Sequence, residues 1–183
     1  VYINFGSGIN YFDTAELYPV PATADTYGNT ERIMGNWFAA HINRDQVVLA
    51  TKIAGPGPYT AHIRTTGFTP SSIRTALEGS LTRLKTDYID LYQLHWPERN
   101  ANFFGKRDYF PDAAEQWDEN FQEILETLED FVEEGKIRHI GLSNETPWAS
   151  MKYISLSEHE GLPRMKTIQN PYSLLNRTFE AGN

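Results

Sequence analysis

The chain has 183 residues, of which 40% are hydrophobic and 13% aromatic, enough material for one domain with a real core. A formal charge of −8 denies it the basic face that a phosphate backbone requires, so nucleic acid is not an expected partner. It contains no cysteine, hence neither a disulfide framework nor a thiolate metal site, and no apolar run near the roughly 20 residues that cross a bilayer. A cytoplasmic location fits these features. The first residues, VYINFGSG, lack an initiator Met and the charged start and apolar stretch of a signal peptide, so the sequence reads as a fragment.

Taken in order, Ile9, Tyr11 and Phe12 predict a short buried strand, and Asp13 falls where it stops. Tyr18 follows closely. By themselves Asp13 could cap a helical turn and Tyr18 could be a packing residue. After a turn-rich stretch, Thr30 caps a helix with Ile33, Met34, Trp37 and Phe38 on one face, ending near His41. Gln46 to Thr51 is a nearly continuous apolar run, as in a strand covered on both faces, and it ends on Lys52. A Gly/Pro/Thr loop leads to Thr69 and Pro70, a cap followed by proline at the first helical position. The helix they start carries the stripe Ile73, Leu77, Leu81 and Leu84.

Tyr88 to Leu94 predicts the third strand, which delivers His95 and Trp96 before Pro97 closes it. The loop from Glu98 to about Ala114 carries Phe103, Phe104, Tyr109 and Phe110, and it is either a binding loop or a packed surface loop. Trp117, Phe121, Ile124, Leu125, Leu128, Phe131 and Val132 predict a helix from Glu115 to Glu134, stopped by Gly135. A fourth strand, Ile137 to Leu142, ends on Ser143 and Asn144. Thr146 and Pro147 start another helix, with Met151 and Ile154 on its apolar side, finishing near Gly161. A fifth strand at about Lys166 to Ile168 ends on Gln169.

Strands alternating with helices predict parallel β with helical crossovers, in one domain over residues 1–183. A doubly wound sheet that binds a dinucleotide should show GxGxxG after its first strand, and no such match occurs. A (β/α) barrel is therefore the expected α/β fold. In such a barrel the strand ends share one face, the face where barrel enzymes keep their chemistry. Asp13, Lys52, His95, Ser143 with Asn144, and Gln169 all fall at strand ends. Singly each has a plain explanation as a loop, core or turn residue; together they need a common reason.

Carbonyl reduction supplies one, because it needs an acid that is neutral at pH 7 yet able to donate a proton. Tyr18 is a weak acid for that task, and a Lys52 ammonium at ~4 Å is expected to lower its pKa by at most roughly three units. Asp13 would hold and neutralise Lys52, and a neutral His95 could donate an N–H to the substrate oxygen. Ser143, Asn144 and Gln169 offer hydroxyl and amide groups suited to a nicotinamide carboxamide. The five histidines show no paired metal-binding spacing, so no metal site is expected.

These residues also carry a resemblance. FDTAELY with Tyr18, ATK with Lys52, YIDLYQLHWP with His95, GKIRHIGLSN with Ser143 and Asn144, and IQNPYS with Gln169 resemble the motifs of the aldo-keto reductases. The wording AELYPVP and QNPYSLLNR is most similar to the bacterial Tas-like branch, related to potassium-channel β-subunit-like proteins. The resemblance implies a (β/α)8 TIM barrel and an oxidoreductase that reduces a small-molecule aldehyde or ketone with NADPH, yielding NADP+. It further implies a catalytic tetrad of Asp13, Tyr18, Lys52 and His95 with Tyr18 as proton donor. Ser143, Asn144 and Gln169 map onto the positions that hold the carboxamide. It also implies that this chain corresponds to strands two to six of eight, truncated at both ends, and by itself inactive. Two alternatives remain: a cofactor-binding regulatory or interaction subunit with little turnover, and a fragment without independent function.

Overall fold

A computed structural model describes residues 6–41, 44–104, 110–111 and 114–182. Five strands form: β1 (Tyr11–Asp13), β2 (Val48–Ile53), β3 (Ile89–Leu94), β4 (Ile137–Ser143) and β5 (Met165–Gln169). Between them run α1 (Asn29–His41), α2 (Pro70–Leu84), α3 (Phe121–Glu133) and α4 (Pro147–Glu160), and a short α5 (Thr178–Gly182) follows. The strands pair in parallel, in the order β1-β2-β3-β4-β5. That order separates the two expected folds. A doubly wound sheet reverses its strand order at a switch point, whereas a barrel wall adds each strand beside the last. The described strands form a continuous part of a barrel wall.

The core lies between this wall and the helices. On α2 the expected stripe is realised, with Ile73, Leu77, Leu81 and Leu84 all buried, each worth about 1.5–3 kcal/mol relative to exposure. Thr69 and Thr146 accept from Ser72 N (3.2 Å) and Ala149 N (3.3 Å), with Pro70 and Pro147 beginning their helices. A bare glycine lets α1 lie against the end of α2, since a Cβ at Gly35 would collide with the carbonyl of Arg83 and the backbone of Leu84.

Four local expectations change. The β1 strand is a sheet edge, so Ile9 and Tyr11 are exposed while Phe12 alone turns into the core. Helix α3 begins at Phe121 rather than Glu115, because Trp117 Nε1 and Asn120 Nδ2 are drawn onto the Glu98 carboxylate (3.2 and 2.5 Å). On α4 the buried face is Ala149, Tyr153 and Ser157, which leaves Met151 exposed. On α1, Met34 and Phe38 of the expected apolar face are buried, together with Glu31 and Gly35, while Ile33 is exposed. Tyr109 lies outside the described residues.

Candidate active site

Successive side chains of a strand point to opposite faces, so each strand sends alternate residues outward to the helices and inward to the barrel axis. On β2, Leu49, Thr51 and Ile53 go outward, and Lys52 goes inward. Its position is fixed by register: Asp13 pairs with Ala50, and Lys52 with Gln93. Thr14 N and Glu16 N continue the ladder to Ala50 O (2.9 Å) and Lys52 O (3.1 Å), carrying the Asp13 to Tyr18 segment over the end of β2.

Asp13 and Lys52 meet directly. Lys52 Nζ donates to Asp13 Oδ2 at 2.5 Å and to Thr14 O at 2.8 Å, and the Lys52 side chain is 1% exposed against 24% for Asp13. Asp13 accepts two further hydrogen bonds, from Gln93 Nε2 (3.1 Å) and Gln169 Nε2 (3.3 Å). Burial holds the Lys52 ammonium below its ordinary pKa, and Asp13 offsets part of that effect. The Tyr18 ring centroid stands 5.5 Å from Lys52 Nζ and 5.7 Å from the His95 ring, edge to face. The four side chains thus form one cluster at the ends of β1, β2 and β3.

The lowered Tyr18 pKa expected from Lys52 does not occur. Burial first, and the Asp13 charge second, push the phenol above its ordinary value. The phenol is half-buried, which disfavours the phenolate, and the Asp13 carboxylate adds to that effect. Tyr18 is therefore protonated at neutral pH. His95 follows the expectation, with its pKa lowered to about 3 by burial and then by Lys52, so its imidazole is neutral at pH 7. Its Nδ1 is buried with no hydrogen-bond partner among the described residues.

Ser143, Asn144 and Gln169 gather at the ends of β4 and β5. Ser143 Oγ donates to Gln169 O (3.0 Å) and accepts from Asn144 Nδ2 (3.1 Å), which also donates to His95 O (2.9 Å). Asn144 N reaches Gln169 O at 3.0 Å, and the backbone of Asn144 is left-handed at φ 52, a conformation Asn tolerates. Gln169 bridges to the charged cluster through Asp13. All seven residues singled out in the sequence thus lie along one end of the wall.

Three contributors went unnoticed in the sequence. Gln93 is one, although its period-two spacing from His95 places both on the same strand face and could have revealed it. Glu16 and Arg64 are the others. Arg64 Nη2 donates to Glu16 Oε2 (2.9 Å), its Nη1 reaches Glu16 Oε1 and Ala54 O, and Ala54 N donates to Glu16 Oε1 (2.7 Å). This buried clamp ties the segment between Asp13 and Tyr18 to the chain just beyond Lys52. No short-range pattern joins Glu16 to Arg64. Beside the cluster, Trp96 packs on His95 (4.9 Å) and Phe104 (5.5 Å), and Phe104 on Phe103 (5.1 Å), so its flank at His95 is aromatic.

Comparison with known proteins agrees with this architecture. The chain is 46% identical to protein Tas of Escherichia coli over 182 residues, covering 96% of this chain and 51% of Tas. It is 38% identical to an uncharacterized oxidoreductase, YrpG, of Bacillus subtilis, covering 95% of this chain and 48% of YrpG. Among solved structures, a thermostable aldo-keto reductase crystallised with the inhibitor epalrestat superimposes with a TM-score of 0.69 at 24% identity, over 98% of this chain and 51% of that one. The chain spans about half the length of these relatives. The aldo/keto reductase family profile matches residues 4–182. On that match, over a wall of parallel strands whose ends gather an aspartate, a tyrosine, a lysine and a histidine, the chain belongs to the aldo/keto reductase family.

Proposed function

We propose that residues 1–183 are one barrel-type domain of a cytoplasmic reductase that converts aldehydes or ketones to alcohols with NADPH. The observation that carries the reading is the cluster itself: a buried Lys52 held at 2.5 Å by Asp13, with a protonated phenol and a neutral imidazole within 6 Å of it or of each other. No helix among the described residues is long and apolar enough to cross a membrane.

Tyr18 is the proton donor in this reading. Its raised pKa keeps the proton in place until an oxygen of rising basicity, the reduced carbonyl, arrives to accept it. As the phenolate forms, the attraction of the Lys52 ammonium, 5.5 Å from the ring centroid, grows with the negative charge on the ring oxygen. Asp13 keeps that ammonium charged in a buried place where it would otherwise tend to lose its proton. His95 orients the carbonyl through its single N–H, and its low pKa prevents a charged ring from competing with Tyr18 as acid.

The donor set at the ends of β4 and β5 fits a nicotinamide carboxamide. Among the described residues the Asn144 Oδ1 accepts no hydrogen bond and is available to an amide N–H, and the Ser143 hydroxyl and Gln169 amide can turn toward a carbonyl oxygen. Bound there, the nicotinamide would supply the hydride. The test is NADPH oxidation by the full-length protein with a panel of aldehydes and ketones, beside Tyr18→Phe. A roughly 10²- to 10⁴-fold loss in the variant is expected, and equal rates would sink the proposal.

A further inference from the structure

The candidate carboxamide groups Ser143, Asn144 and Gln169 sit at the ends of β4 and β5, beside the loop that follows β3, and something must fix the spacing of these three segments. We propose that Arg99 and Glu145 form a positioning pair that sets this spacing and thereby the affinity for the nicotinamide cofactor; the inference rests on the reading in the preceding section.

The pair is enclosed and fully engaged. Arg99 grips Glu145 as a fork, Nη1 to Oε2 at 3.1 Å and Nη2 to Oε1 at 2.5 Å, with Nη2 also donating to Thr146 Oγ1 at 3.0 Å. The two side chains are 8% and 6% exposed. Three rings, of Trp117, Phe121 and Trp148, stand 5.3–5.7 Å from the guanidinium carbon. Glu145 Oε1 takes a second donor, Thr146 N at 2.6 Å.

From this pair, contacts run to the loop after β3 and to both strand ends of the candidate carboxamide site. Arg99 belongs to the loop that follows His95. Glu145 directly follows Asn144, whose Nδ2 returns to His95 O, so the first two loops are closed into a ring. The third loop is caught by the Glu145 backbone, whose N donates to Asn170 Oδ1 (3.2 Å) and whose O accepts from Asn170 Nδ2 (3.0 Å), beside Gln169. The loop carrying Arg99 is anchored on its other side by Glu98, which accepts from Phe68 N at 2.5 Å and from Trp117 and Asn120.

Burying such a pair is costly, and a packed apolar pair would support stability as well. What the charged fork adds is direction, because two parallel hydrogen bonds fix both distance and angle between the loops. Neither residue contacts Asp13, Tyr18 or Lys52, so the proton-transfer cluster should be indifferent to the pair's loss. A positioning role therefore predicts a split: weaker cofactor binding with unaltered proton transfer.

The experiment uses the full-length protein and compares the parent with Glu145→Gln, Arg99→Met, Arg99→Lys and the Arg99→Met/Glu145→Gln double variant. NADPH affinity is read from quenching of protein fluorescence, alongside kcat at saturating NADPH, its pH dependence and the thermal midpoint. Glu145→Gln is expected to weaken NADPH binding roughly tenfold or more while kcat stays within about threefold and the pH profile does not move. Arg99→Lys, which keeps the charge and loses the fork, should fall between parent and Arg99→Met. The double variant should be no worse than the weaker single one.

Unchanged NADPH affinity in a folded Glu145→Gln, additive losses in the double variant, or a fall in kcat with a shifted pH profile would overturn the proposal. If Glu145→Gln loses its cooperative transition, Asn170→Asp, which spoils only the contact to Glu145 O at the rim, must show the same split or the proposal fails. A parent that binds no NADPH would remove the reductase reading and this inference together. A parent that binds it, with variants that bind equally, would remove this inference alone.

Discussion

Neighbouring residues of β2 enter two buried ion-pair networks that share their chemistry and differ in everything that matters for function. Lys52 faces inward and pairs with Asp13 at 2.5 Å. Thr51 faces outward and donates to Glu31 Oε1 at 2.6 Å, while Arg83 of α2 holds Glu31 Oε2 at 2.6 Å and reaches Ser80 Oγ at 3.2 Å. Both carboxylates have a cation at contact distance. Glu31, however, is 0% exposed between sheet and helices, and its cation is an arginine that cannot give up its proton. Asp13 is a quarter exposed, its cation is a lysine whose pKa burial already lowers, and a phenol and an imidazole stand next to it. Burial of charge therefore does not identify a reactive site. The face of the strand, the titratability of the cation and the neighbours of the pair do.

The strongest way to break this comparison is Lys52→Met in the full-length protein. Carbonyl reduction should fall roughly 10²- to 10⁴-fold, since a developing Tyr18 phenolate would lose the ammonium beside its ring. The fold should survive with a cooperative urea transition, because Asp13 keeps its solvent contact and the Gln93 and Gln169 donors. A rate equal to that of the parent would place Lys52 beside Glu31 and Arg83 as scaffolding. The mirror experiment is Arg83→Met, which strands Glu31 with only the Thr51 hydroxyl. It should cost about 3–5 kcal/mol of stability by urea denaturation and leave the rate per folded molecule unchanged. A small stability loss with a large rate loss would reverse the assignment of the two pairs.

A third prediction sharpens the contrast through pH. The folded pKa of His95 is about 3, below the ordinary 6.5, so between those values the unfolded chain binds a proton that the native state does not. Stability from this residue is thus fully present above about pH 6.5 and declines as pH falls toward 3. Lowering pH from 7 to 4 should cost the parent at most about 3 kcal/mol more than His95→Asn, which cannot titrate there. Urea midpoints at the two pH values measure the difference. Parallel curves for parent and variant would show that His95 is not held neutral, and would remove its place beside Tyr18 and Lys52.

What could be read in advance divides along the same line. The strand ends were legible because each apolar run stops on its polar residue: Asp13 closes β1, His95 follows β3, and Ser143 and Gln169 close β4 and β5. The α2 stripe was legible because 3.6-residue periodicity survives when one face is fully covered. Where tertiary contacts compete with periodicity, the reading failed. Trp117 matched the helical spacing of α3, yet its indole N–H donates to the half-buried Glu98 carboxylate, outside the helix. Met151 and Ile154 looked like the apolar side of α4, but the barrel wall takes Tyr153 and Ser157 instead. The Arg83–Glu31 and Arg64–Glu16 pairs join residues far apart in sequence, and only register and helix packing bring them together. The sign of the Tyr18 shift was misjudged for a related reason: counting Lys52 alone leaves out the burial of the phenol and the Asp13 charge, and both of these arise only in the folded chain.

The smallest effect worth measuring lies on β3. Gln93 is buried, and its Nε2 donates to Asp13 Oδ1 at 3.1 Å while Lys52 and Gln169 hold the other oxygen. Gln93→Met fills nearly the same volume without the donor. A hydrogen bond to a carboxylate contributes about 1.5–3 kcal/mol when enclosed and less where water can substitute, as at the partly exposed Asp13. The rate should fall about threefold to tenfold, with the urea midpoint close to that of the parent. The direction tests how Asp13 is held. An unchanged rate would mean that Lys52 and Gln169 suffice to orient the carboxylate. A measurable loss in a stable protein would mean that Gln93 aims the inward carboxylate for the reaction, whereas Thr51, the uncharged strand donor to Glu31 in the outward pair, serves stability alone.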